Sequence, residues 1–173
     1  MRVFADLEFS SLTEETDFIS IGAVSEDGDC FYKEVEPLPL HCSGFVQKEV
    51  LPHLSRGATA APLQEIEVEF SAWLSQWSST QIVVDSDWDC FVLRKAFALG
   101  KSFEAGELRL RMSNGNFLNT QITLDDSFER LRPEPYLEAK RSFESSPGFR
   151  KHHALDDAKA LRCAVLATEA AFK

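Results

Sequence analysis

The sequence predicts an α/β domain built on a mixed β-sheet flanked by α-helices, and three observations carry that prediction. Three strand-like segments open the chain, apolar residues then recur at helical spacing on either side of one further buried strand, and the C-terminal stretch is rich in Ala and Leu. With 173 residues, of which 44% are hydrophobic and 27% charged, the chain is long enough to bury a core without disulfide or metal staples, and it reads as one domain over residues 1–173.

The first segment, RVFADLEF, alternates: Val3, Ala5, Leu7 and Phe9 fall on one face and Arg2, Phe4, Asp6 and Glu8 on the other, which is the period of a strand. DFISIGAV is a second, almost wholly apolar strand. The Asp-Gly of EDGD (26–29) has the turn chemistry to fold it onto CFYKEVE as a hairpin. Ser43 is placed to cap a short helix across GFVQKEVLPHL, interrupted at Pro52. From Pro62, the residues Leu63, Ile66, Phe70, Trp73, Leu74 and Trp77 form one helical stripe. TQIVV is then a fourth strand ending at Asp85, and a helix through WDCFVLRKAFAL should stop at Gly100. Residues 101–150 read as irregular, with a helix or strand near ELRLRM, an Asn-Gly turn at 114–115 and a Pro-containing loop after Leu131. ALDDAKALRCAVLATEAAF closes the chain as a strong helix.

Composition narrows the function classes. No apolar run is long enough to span a membrane, and the charges in MRVFADLEF break the apolar stretch a signal peptide needs, so a cytoplasmic location is expected. Cys30, Cys42, Cys90 and Cys163 contain no C-x-x-C pair, which suits a reducing compartment and no zinc frame. The His41-Cys42 pair lacks a partner pair at usable spacing. The net charge is −10, and it is unevenly spread: residues 1–89 hold 4 Lys/Arg against 17 Asp/Glu, residues 90–173 hold 14 against 11. So acidic a chain will not coat duplex DNA by non-specific phosphate neutralisation. A nucleic-acid partner would require metal cations and a local basic surface. Two basic stretches exist, one with Arg94, Lys95, Lys101, Arg109 and Arg111, the other with Arg130, Arg132, Lys140, Arg141, Arg150 and Lys151.

The carboxylates suggest chemistry. On an extended strand Asp6 and Glu8 point the same way, roughly 7 Å apart at Cα, and can face a common cation. If that strand is central, both its faces are covered, and unpaired carboxylates there are costly without a metal or donor. In DSDWDCFVL (85–93), Asp85 can end the strand, Asp87 can cap the helix and Asp89 falls in its first turn; position alone does not choose between capping and catalysis. His152 precedes Asp157 in H-x-A-x-x-D, where a loop histidine and a first-turn carboxylate converge. Their neighbours His153 and Asp156 should turn elsewhere.

Together, DLE at Asp6–Glu8, DCFVL at Asp89–Leu93 and HHALDD at His152–Asp157 resemble the three motifs of the DEDDh 3′-to-5′ exonucleases, in order and separation and across nearly the whole chain. The chain is most similar to the small stand-alone exoribonuclease-like domains, with a Phe after the first acidic pair and FVQKEVLPHL similar to their first helix. The resemblance implies a ribonuclease H-like fold whose first three strands are antiparallel. It implies that Asp6, Glu8, Asp89 and Asp157 are the four catalytic, metal-binding acids and His152 the general base, with Asp89 favoured over Asp85 and Asp87 because helical apolar residues follow it. The cofactors would be two Mg²⁺ or Mn²⁺ ions per site, one on Asp6, Glu8 and Asp157, the other on Asp6 and Asp89. The substrate would be single-stranded or 3′-overhanging nucleic acid, RNA favoured over DNA, shortened to nucleoside 5′-monophosphates; homodimers are common among such proteins. Where many relatives carry a Gly after D-x-E, this chain has FSSL (9–12). Phe9 is therefore core or a changed wall of the nucleotide pocket, and Leu12 and Trp88 are candidates for stacking on terminal bases. Two rival readings stand beside this one: a catalytically silent nucleic-acid or protein binding module of the same fold, and a phosphohydrolase of dinucleotides or small nucleotides.

Overall fold

The first strand, β1 (Arg2–Phe9), has no wet face. Val3, Ala5 and Leu7 are buried on one side and Phe4 on the other, because β1 is an inner strand of the sheet. Residues 1–97, 122–125 and 133–173 are described by the computed structural model. Within them β2 (Phe18–Ser25), β3 (Cys30–Val35), β4 (Ala60–Ala61), β5 (Thr80–Val84) and β6 (Ile122–Asp125) join β1 in one mixed sheet of order β4-β3-β2-β1-β5-β6. β1, β2 and β3 pair antiparallel, as expected; β5 lies parallel to β1, β6 parallel to β5 and β4 parallel to β3. The turn at 26–29 closes with Gly28 at φ 104° and the Ser25 hydroxyl accepting the Gly28 and Asp29 amides, a conformation that favours glycine.

Helices cover both faces. On one, α2 (Leu63–Leu74) and α3 (Asp87–Phe97) place Ile66, Phe70, Leu74, Leu93 and Phe97 against Val3, Ala5, Leu7 and Ile82. On the other, α4 (Glu134–Glu144) and α5 (Ala154–Ala171) pack Tyr136, Ala158, Leu161 and Val165 over Phe4, Val24 and Val83. The short α1 (Gly44–Glu49), capped as expected by Ser43, anchors Val46 against Ile19, and Pro52 falls in the single 3₁₀ turn at Leu51–His53 that follows. Among the described residues no helix is long and apolar enough to cross a membrane.

Two expectations are corrected. The cap of α3 is Ser86, not Asp87: the Ser86 hydroxyl accepts the Asp89 amide at 3.2 Å, and Asp87 is already the first helical residue. The proline-rich segment after Leu131 is no loop from Glu134 onward but α4, with Pro133 at its cap and Pro135 in its first turn. Proline is tolerated there because the first-turn amides have no intrahelical acceptor to lose. The expected helix end at Gly100, the ELRLRM element, the Asn-Gly turn and the basic residues Lys101, Arg109, Arg111, Arg130 and Arg132 lie outside the described residues.

One contact fixes how α5 meets the sheet. Gly22 on β2 is the cross-strand partner of Asp6, so its missing side chain would share Asp6's face. A Cβ there would lie 2.1 Å from the Leu155 nitrogen and 2.2 Å from the Ala154 carbonyl carbon, a clash with backbone that no rotamer relieves. The first turn of α5 therefore rests directly on β2, beside Asp6. Gly22→Ala is expected to destabilise the fold by about 3 kcal/mol, the upper end of ordinary overpacking, and to push the start of α5 off the sheet. Urea unfolding checks the first effect, and a stability within about 0.5 kcal/mol of the parent would contradict the contact.

Candidate active site

The β1 carboxylates face the first turn of α5 across this contact. Glu8 is 9% exposed and Asp89 4%, while Asp6 and Asp157 are half-buried. Ligand atoms of Glu8, His152 and Asp157 all lie within 4.8 Å of one another, a group able to hold a metal ion. Asp6, Glu8, Asp89, His152 and Asp157 all border one cavity of about 480 Å³. The two ends of the chain thus meet at a single opening.

Each acid is held by local structure. Asp89 is gripped at both oxygens: Oδ1 accepts the Leu7 amide at 3.0 Å and Oδ2 the Ser86 hydroxyl at 2.7 Å, which ties α3 to β1. Asp157 accepts a hydrogen bond from the His152 backbone amide. His152 itself adopts φ 62°, the left-handed region that costs a non-glycine residue about 1–3 kcal/mol. Its ring meets Phe45 of α1 edge-on at 5.0 Å. His153 and Asp156 turn away, as expected: the His153 ring is buried against Tyr32 at 4.4 Å with Arg150 Nη2 3.3 Å from its Nδ1, and Asp156 accepts from Arg150 Nε at 2.8 Å. These contacts anchor the loop that carries His152.

Electrostatics make the cluster unusual. Burial, with the Asp89, Glu8 and Asp157 charges added, raises the Asp6 carboxyl well above the ordinary range. Burial and then Asp157 push Glu8 up to about 8. Asp89 and Asp157 rise to about 7, again chiefly from burial, against the opposing hydrogen bonds just described. Burial, and then the Lys151 charge, lower His152, which favours a neutral imidazole at neutral pH.

The remaining expected site residues divide. Leu12, 68% exposed, borders the cavity at the tip of a loop braced by the Ser10, Ser11 and Thr16 polar contacts and by Lys95 Nζ donating to the Glu14 and Thr16 carbonyls. Phe9 packs on the core and also borders the cavity. Trp88 is not among the cavity-lining residues; its ring stacks on Phe9 at 6.2 Å. Sequence reasoning missed Phe45, which borders the cavity beside His152, and Lys140 and Glu144 of α4. For the last two the signal was present as the i, i+4 series Tyr136, Lys140, Glu144, hidden by reading the segment as a loop.

The family model described as the 3′-5′ exoribonuclease Rv2179c-like domain matches residues 1–168. The chain belongs to this Rv2179c-like family. Among curated proteins, none matches it. The match runs from β1 through most of α5, so it takes in both ends of the chain that border the cavity. Membership of a 3′-5′ exoribonuclease-like family agrees with a site of clustered acids and a histidine, and supports a nuclease function at that level.

The raised carboxyl pKa values set a pH dependence for the Rv2179c-like chain. Without divalent ions, the folded site keeps protons that the unfolded chain, with carboxyl pKa values near 4, has already released. Stability therefore falls as pH rises from about 4 to about 8. Melting curves in chelator should show Tm declining across this window, more shallowly in Glu8→Gln. A divalent ion that binds only the folded, ionised site should restore about 2.7 kcal/mol at a free concentration about a hundred times its Kd. A parent Tm that rises through the window in chelator would contradict the electrostatic picture.

Proposed function

We propose that the chain is a divalent-metal-dependent 3′-to-5′ exonuclease with a ribonuclease H-like sheet, acting on single-stranded or 3′-overhanging RNA and less readily on DNA. The observation that carries this reading is the convergence of Glu8, His152 and Asp157 within 4.8 Å in a chain of an exoribonuclease-like family. The groups that would hold the ions are carboxylate oxygens, which fit Mg²⁺ or Mn²⁺. Burial and mutual repulsion raise the Asp6 and Glu8 carboxyls, and a divalent cation beside them would favour their ionised forms. Asp6, Glu8 and Asp157 would hold one ion and Asp6 with Asp89 a second, and such ions supply water activation and stabilisation of the leaving 3′-oxygen.

The chain's own groups do the rest. His152, kept neutral by burial, accepts the proton of the attacking water at its ring, with the Phe45 edge and the constrained backbone holding that ring at the cavity. Leu12, Phe9 and Phe45 offer an apolar wall on which the terminal base can lie. The hydrogen bonds from Leu7 and Ser86 keep the Asp89 carboxylate aimed at the acid cluster. Bound cations would offset the acidic N-terminal half toward a polyanionic substrate.

Digestion of 5′-labelled oligonucleotides tests the reading. Stepwise shortening from the 3′ end with Mg²⁺ or Mn²⁺, release of nucleoside 5′-monophosphates, and silence in chelator are expected; cation-independent or internal cleavage would overturn it. His152→Ala should lose roughly 10²–10⁴-fold in turnover while binding Mn²⁺ as before, and full activity would remove the general base. Asp89→Asn should be inactive and the exposed Asp87→Asn active; the reverse ranking would reassign the second acid.

A further inference from the structure

Lys140 is a cation built into an acidic cavity. It projects from α4, borders the cavity, and forms an ion pair with Asp85 at the end of β5. Its ammonium also sits over the Tyr136 ring, 5.9 Å from the centroid, one helical turn back, and Tyr136 is 1% exposed. With 23% of the Lys140 side chain exposed, this is a held charge and not a solvated surface lysine. Burial works to lower the ammonium, but Asp85, with further help from Asp6, holds it above the ordinary lysine range. Its field in turn favours the ionised forms of Asp89 and Asp157.

An ion pair with Asp85 alone would need no place in the cavity wall. Here the same charge also acts on Asp6, Asp89 and Asp157, and Glu144 of α4 borders the cavity one turn further on. Glu8 and Asp157 converge, beside His152, closely enough to share a cation. Asp89 instead has both oxygens occupied by protein donors and Asp85 beside it has Lys140.

We propose that Lys140 is a charge-compensating positioning residue: its ammonium neutralises the Asp85–Asp89 side of the cavity. That side then takes up a divalent cation weakly until a substrate phosphate adds its negative charge, whereas the Asp6–Glu8–Asp157 side binds one unaided. The inference rests on the metal-dependent reading of the site and deepens it by separating the two ions.

Calorimetric titration of the whole chain with Mn²⁺ alone, without nucleic acid, tests this. The parent protein is expected to bind one ion well and a second weakly or not at all. Lys140→Gln should bind Mn²⁺ about tenfold more tightly in its weak phase, because one positive charge near a divalent ion is gone, and Lys140→Arg should match the parent. A lysine with a purely structural role predicts the opposite, a looser site in Lys140→Gln. Equal or weaker Mn²⁺ binding by Lys140→Gln therefore overturns the proposal. Should that variant fail to fold, Lys140→Met, which keeps an unbranched stem on Tyr136, carries the same expectation. A parent protein that takes up no Mn²⁺ removes the metal reading and this inference together, an outcome distinct from a parent that binds and a variant that binds no better.

Discussion

The close approach of α5 to β2 at Gly22 is the constraint on which the rest depends. β1 carries Asp6 and Glu8 near one end of the chain, and α5 carries Asp157 near the other, with His152 in the loop ahead of it. Only a position without a side chain lets the Ala154–Leu155 backbone settle on the sheet, and that settling brings the α5 first turn over the β1 carboxylates. The Ala-rich inner stripe of α5, with Ala154, Ala158 and Ala164 fully buried, continues the same close packing along the helix. Stability and site assembly are thus one event: the packing that buries Phe4 and Leu161 also gathers the acids.

That gathering has an electrostatic consequence. Carboxylates on an inner strand lose hydration and repel one another, and the chain answers with local donors at Asp89 and Asp157 and with the Lys140 ammonium at Asp85. The compensation is partial, as the raised pKa of Glu8 shows. Buried, mutually repelling carboxylates cost stability that apolar pairs would not, which is the usual mark of a functional cluster. Asp6, Glu8, Asp85 and Asp89 are four of the 17 acidic residues between positions 1 and 89.

Much of this was legible in the sequence, for physical reasons. The alternation of β1, the Asp-Gly turn, the Ser43 cap and the apolar stripes of α2 and α5 are local signals that tertiary packing reinforced. Spacing put Asp6 with Glu8 on one strand face and His152 with Asp157 at one helix start, while the union of these groups with Asp89 was what the family resemblance implied. Other features had no local signature. The α4 helix was masked by Pro133 and Pro135, which look like loop punctuation but are compatible with a helix start. Ser86 took the cap that Asp87 also suited, because its hydroxyl serves both the Asp89 amide and the Asp89 carboxylate. Trp88 looked like a base-stacking residue, yet Phe9 lay near enough to claim its ring. Phe45 became a cavity residue only through the tertiary arrangement of α1. β4, two residues long, and β6, four, carry too few positions for any periodicity to show.

The central claim is that side chains from the two ends of the chain jointly ligate divalent cations. Anomalous diffraction at the manganese edge, from crystals soaked in Mn²⁺, reads this directly. The account predicts an anomalous peak in coordinating contact with carboxylate oxygens of Asp6, Glu8 and Asp157. Manganese bound only elsewhere on the protein, with this cluster empty at a Mn²⁺ concentration that supports other sites, would contradict it.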